Sequence, residues 1–137
     1  PLVGRQAGLL LADTTRYAEK QLFVAQCGVD SARIAAIGGI EARGVDLWAE
    51  RERVLDMLTE AGRDLLAAGR VQVLLLGCLS FLGLAHPLSE RLGVPVVDPA
   101  VAPVALAECL VRQGLKTSRK AYPAPPMRKR TWQSGQL

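Results

Sequence analysis

Short apolar runs and longer mixed segments take turns along this chain, and their lengths and spacings predict its elements. Gly8, Leu9, Leu10, Leu11 and Ala12 form a run long enough for a buried strand and too short for a helix. Asp13, Thr14 and Thr15 follow it, and each is a residue type that caps helix N-termini. Over residues 16–27 the apolar Ala18, Leu22 and Ala25 recur at helical spacing, and Gly28 ends the predicted helix. Residues 33–37 predict a second strand closed by Gly38 and Gly39, and residues 40–48 an irregular loop.

The next helix has the sharpest pattern. Val54, Leu58, Ala61, Leu65 and Ala68 draw one stripe, while Arg51, Glu52, Asp56, Glu60, Arg63 and Asp64 take the other side and Gly69 terminates the segment. Residues 71–76 are apolar apart from Gln72, which reads as a strand covered on both faces, and Gly77, Cys78, Leu79 and Ser80 sit at its carboxyl end. A short helix is predicted over residues 87–92 because proline suits a first helical turn, and Gly93 ends it. A fourth strand over residues 94–97 leads through Asp98 and Pro99 into a last helix reaching Gln113.

Strand and helix thus alternate four times across short links. That pattern predicts an α/β fold, a parallel sheet with helices on both faces. Ligands of such sheets bind beyond the carboxyl ends of the strands. Three of those ends carry informative residues: Asp13 to Thr15, Gly77 to Ser80, and Asp98 with Pro99.

Composition narrows the classes of function. At 137 residues, half of them hydrophobic, the chain has the size and apolar mass of one ordinary domain. Aromatics are only 4%, too few for an extensive base-stacking surface, so no nucleic-acid partner is expected. Residues 1–115 hold 11 Lys/Arg and 13 Asp/Glu, whereas residues 116–137 hold 6 Lys/Arg and no acid. The net charge of +4 therefore belongs to a basic, proline-containing tail in which Pro123, Pro125 and Pro126 exclude helix. Its Arg128-Lys129-Arg130 cluster is either a solvated tail or an anion-attracting patch. Three irregularly spaced cysteines and a single histidine exclude a zinc site and point to a reducing, cytoplasmic setting. No apolar run approaches the roughly 20 residues of a membrane span, so no membrane partner is expected either. The chain opens on Pro1 rather than Met, which raises the expectation that an N-terminal part has been cut away.

Cys78 is the sharpest chemical candidate. If the chain turns toward a helix after the buried strand, backbone N–H groups converge near its sulfur, where they lower a thiol pKa and hold an anion. The alternative is one more small buried residue. The run Val73-Leu74-Leu75-Leu76-Gly77-Cys78, with Leu88-Ser89-Glu90-Arg91-Leu92-Gly93-Val94-Pro95-Val96-Val97-Asp98, resembles the second half of the aspartate/glutamate/hydantoin racemase superfamily. The stretch Gly114 to Pro123 resembles the ending of its hydantoin racemase branch, and Leu9 to Thr15 falls where that branch has a strand and a Thr- or Ser-bearing loop. The resemblance extends to about Pro126 and is most specific from Gly77 to Tyr122.

The resemblance implies a cofactor-independent racemase of two similar α/β domains, with one cysteine from each domain on opposite sides of the substrate carbon. One thiolate removes the proton and the other thiol returns one from the far side, inverting the centre. Cys78 matches the second cysteine. Thr14 or Thr15, with the backbone at Leu79 and Ser80, match positions that hold the substrate, a small amino acid derivative or hydantoin. The branch usually reads Gly-Cys-Ala-Gly-Met or Gly-Cys-Thr-Gly-Met where this chain reads Gly77-Cys78-Leu79-Ser80-Phe81, so the pocket floor is altered. The first cysteine and its domain are expected before residue 1. The chain is thus expected to be one domain over residues 1–115 and a tail over 116–137, inactive alone and needing a missing N-terminal domain or a homo-oligomeric partner.

Alternatives remain at this stage. Arylmalonate decarboxylases resemble racemases but use a single cysteine at the Cys78 position, and a non-catalytic interaction module with a basic tail is a different class altogether. Cys27 is expected near a helix end at the opposite edge of the sheet, and Cys109 is expected in core packing with Leu106 and Leu110. His86 is expected at the surface, and Asp98 either caps the last helix or accepts a substrate hydrogen bond. Gly38-Gly39 lacks a nucleotide-binding context, and Trp48 and Trp132 belong to no stacking array.

Overall fold

The computed structural model describes residues 3–124, so the Arg128-Lys129-Arg130 cluster and Trp132 lie outside the described residues. The chain divides into two compact units, Pro1–Ala105 and Leu106–Leu137, and the whole sheet lies in the first. Its elements run β1 (Ala7–Leu11), α1 (Tyr17–Gln26), β2 (Ile34–Gly39), α2 (Arg51–Ala67), β3 (Val73–Leu76), α3 (Ala85–Leu92) and β4 (Val96–Val97). A further helix, α4 (Val101–Arg112), crosses from the first unit into the second.

The four strands are parallel in the order β2-β1-β3-β4. The step from β1 to β2 runs one way across the sheet, and the steps to β3 and β4 run the other way. Right-handed crossovers therefore put α1 on one face and α2 with α3 on the opposite face. The side-chain register agrees: Gly8 and Gly38 both face Leu65 of α2, and Leu10, Leu74 and Leu76 join the core cluster beneath it.

That core sits between the sheet and α2. Val54, Leu55, Leu58 and Leu65 are buried along the helix, as its stripe predicts, each contributing about 1.5–3 kcal/mol of apolar burial. Phe81, Leu84, Ala85 and Leu88 close the core from the α3 side. Thr59 is the one buried residue of α2 with a hydroxyl, and it donates to the Leu55 carbonyl at 2.7 Å.

Several boundaries differ from the sequence expectation for local reasons. The predicted helix over 16–27 opens as a 3₁₀ turn, Thr14–Arg16, and none of α1 is buried, Leu22 included. β2 runs through Gly38 and Gly39 instead of stopping before them. Gly39 is needed there: a Cβ would stand 2.2 Å from the Leu11 carbonyl oxygen, so only glycine lets the two strand ends close. α3 begins at Ala85, two residues ahead of Pro87, because a first-turn N–H is unused and proline loses nothing there. β4 keeps only two of its four expected residues. Pro95 has no N–H to give, and the Val94 carbonyl instead accepts from the Ser89 hydroxyl at 2.7 Å. Cys109 is exposed, as is all of α4, so its expected place in core packing is not found.

Candidate functional site

Strand order reverses between β1 and β3, the place where open parallel sheets form a crevice beyond their carboxyl ends. Two of the three informative strand ends, those of β1 and β3, meet there. Leu10 pairs with Leu76, and the Gly77 N–H donates to the Leu10 carbonyl at 2.7 Å, which carries Cys78 out beside the segment following Leu11.

Cys78 is extended (φ −139°, ψ 132°) and half-buried, with its side chain against the core cluster. The chain then enters a 3₁₀ turn, Leu79–Phe81, and α3 starts only at Ala85. Cys78 therefore adjoins a short turn and not the N-terminus of an α-helix, a correction to the sequence expectation. The opening N–H groups of such a turn, those of Leu79 and Ser80, have no acceptor within it. Phe81 is fully buried and anchors the turn, while Leu79 is 67% exposed, so the bulk at that position lies on the surface and not in the core.

Across the crevice, Asp13 receives two bonds from Thr15, 2.8 Å from its N–H and 2.6 Å from its hydroxyl. The bond from the hydroxyl and then that from the N–H hold the Asp13 carboxyl below its usual value. The half-buried Thr14 donates its hydroxyl to Glu41, which follows β2. Both threonine protons are thus committed to carboxylates, and the oxygens are left with lone pairs only. Thr14, Thr15 and Cys78 share one end of adjacent strands.

Asp98, at the end of β4, accepts from the N–H groups of Gly83 (2.8 Å), Ala100 (2.8 Å) and Val101 (3.0 Å). Burial pushes its carboxyl up, but these three donors together with the charge of Arg51 outweigh that and hold it below the usual range. It therefore caps the last helix, one of its two expected roles. His86 is at the surface as expected, 3.6 Å from Glu90. Cys27 ends α1, which returns from the carboxyl end of β1 toward the start of β2, and so lies toward the edge opposite Cys78.

Two residues of this region escaped sequence reasoning. Glu41 stands in a stretch without periodicity, two residues past the end of β2, and no local pattern marks it. Arg51 was counted with the solvent-facing charges of its helix, and nothing in the pattern shows that it reaches the Cys78 turn. Two clefts of about 560 and 600 Å³ lie elsewhere, the first between α1 and β2 and the second around α3 and the end of β4. Neither is lined by Cys78 or the threonines. Among the described residues no three His, Cys, Asp or Glu side chains gather to hold a metal ion, and no helix is long and apolar enough to cross a membrane.

No protein-family profile matches the chain. Over 84 residues, 60% of its length, it is 37% identical to a hydantoin racemase of Paenarthrobacter aurescens, and over 82 residues, 59% of its length, 37% identical to a hydantoin racemase of a Pseudomonas species. The matched stretches span 36% and 33% of those curated relatives, about a third of their length. Among solved structures it resembles an allantoin racemase from Pseudomonas fluorescens (TM-score 0.76, 24% identity), covering 96% of this chain and 56% of that one. It likewise resembles an allantoin racemase from Klebsiella pneumoniae (TM-score 0.79, 22% identity), covering 96% of this chain and 54% of that one. These two likenesses give the fold.

Proposed function

We propose, from likenesses that support an Asp/Glu/hydantoin racemase-like superfamily, that this chain forms one side of a cofactor-independent racemase acting on a small amino acid derivative or hydantoin. The observation that carries the reading is the place of Cys78: half-buried, at the carboxyl end of a central strand, facing the topological switch point of a racemase-like sheet.

In this reading the Cys78 thiolate takes the proton from a carbon next to a carbonyl, or its thiol returns one. The unpaired N–H groups of Leu79 and Ser80 receive the oxygen on which charge develops, as backbone donors do in oxyanion sites. The lone pairs of Thr14 or Thr15 accept from substrate N–H groups. Inversion needs an acid and a base on opposite faces of one carbon. Cys27 is at the wrong edge of the sheet, so the second group comes from a further domain or a second subunit.

The test is polarimetry of an enantiopure 5-substituted hydantoin in D₂O, with NMR following deuterium at C5. The 137-residue chain alone is expected to leave optical rotation unchanged. Losing a positioned acid or base costs about 10²–10⁴-fold in rate, and a cleft open to water adds to that. Supplying the complementary racemase half should restore racemisation, and Cys78→Ser should abolish it. Rapid racemisation by the chain alone, or a Cys78→Ser form as active as the parent in the restored enzyme, would sink the proposal.

A further inference from the structure

The loop that leaves Cys78 is held from two sides by residues of other elements. From the first turn of α2, Arg51 Nη1 donates to the Ser80 carbonyl at 2.9 Å, and Nη2 donates to the Leu82 carbonyl. The same guanidinium stands 5.2 Å from the ring centroid of Trp48, a cation–π distance that limits its own motion. From the end of β4, Asp98 accepts the Gly83 N–H at 2.8 Å. Between these anchors the backbone passes through Gly83 at φ +81°, a left-handed conformation that side chains rarely adopt.

The carbonyls of the loop account for one another. Those of Cys78, Leu79 and Phe81 accept from the N–H groups of Phe81, Leu82 and Leu84 within the turn itself. From Cys78 to Leu82, those of Ser80 and Leu82 are the ones left over, and Arg51 takes both. A guanidinium makes two such bonds in one rigid plane, so it fixes orientation as well as distance, which a lysine ammonium does not. Phe81 pins the apolar side of the same turn in the core.

We propose that Arg51 and Asp98 form a clamp that sets the position of Cys78 through the 79–83 loop, with Arg51 as the positioning residue. This rests on the reading of Cys78 as a proton-transfer group, for which a displacement of about 1 Å costs about 10²-fold in rate. Arg51 acts through the loop and does not touch the reacting atoms.

The test uses the full chain and two readouts that need no substrate. One is the iodoacetamide alkylation rate of Cys78 relative to exposed Cys27, followed by mass spectrometry. The other is amide hydrogen exchange at Phe81, Leu82, Gly83 and Leu84. Arg51→Gln is expected to change the Cys78:Cys27 ratio several-fold. It should also speed exchange in the loop by about tenfold or more, because both hydrogen bonds from the charged group are lost, while Leu10 and Leu58 keep their protection. Arg51→Lys should regain only part of both, since it restores the charge without the fork. Asp98→Asn releases the other anchor, should act in the same direction at Gly83, and serves if Arg51→Gln does not fold. An unchanged ratio with unchanged loop exchange, or exchange rising uniformly through the sheet with the ratio unchanged, overturns the clamp. So does a lysine variant equal to the parent in both readouts. Failure to racemise leaves the clamp standing, and a loose loop leaves the racemase reading standing.

Discussion

At Asp98 one carboxylate satisfies three backbone N–H groups from two segments, and the arrangement is sensitive to protonation. Folding holds this carboxyl below its ordinary value, so it contributes stability above that value, and the contribution is lost as pH falls through the folded one. Asp98→Asn should therefore cost about 1–3 kcal/mol at pH 7. The difference from the parent should shrink as pH falls from the ordinary carboxylate value through the lower folded one. Urea unfolding at pH 7, 5 and 3 checks this, and a difference independent of pH would count against it. Cys78 and Asp98 were legible in the sequence because each follows an apolar run directly, where parallel sheets expose their strand ends. Glu41 and Arg51 were not. Their roles depend on which loop comes to lie beside which strand, and that is fixed by strand order and not by local pattern.

The two longest helices of the first unit behave differently for one physical reason. The stripe of α2 is buried from Val54 to Leu65, about three turns, and Leu58 is wholly buried there, whereas Leu22 on α1 is 60% exposed. Leu58→Ala should thus cost about 2–5 kcal/mol by leaving a cavity in the core. Leu22→Ala should stay within about 0.5 kcal/mol, as surface changes do. Thermal or urea unfolding of the two variants separates them, and equal losses would show that α1 carries more of the core than its exposure indicates. The same contrast shows why the pattern of α2 tells which face it buries while that of α1 does not. A strong amphipathic pattern states what a helix buries, but three apolar residues at helical spacing state only that a helix is possible. β3 and β4 were placed correctly and drawn too long, because apolar runs do not report where pairing stops.

At the scale of the molecule, β1 sits at the centre of the sheet between two partners reached by very different routes. β2 follows after one short crossover, but Ala7 finds Val73 only after β2, α2 and their links have been made. Closing that larger loop is the entropically dearer step, and parallel pairing over such separations is slow. In refolding followed by stopped-flow circular dichroism and pulsed thiol labelling, the helical signal of α2 should return before Cys78 becomes protected. Simultaneous recovery would refute the order. Thr14 and Cys78 stand on opposite sides of this last seam, so a half-finished chain holds its helices and has no crevice. In the proposed reading this is a built-in safeguard: Cys78 meets Thr14 only once β1 and β3 have zipped together, so the half-site this chain supplies exists in the folded chain alone.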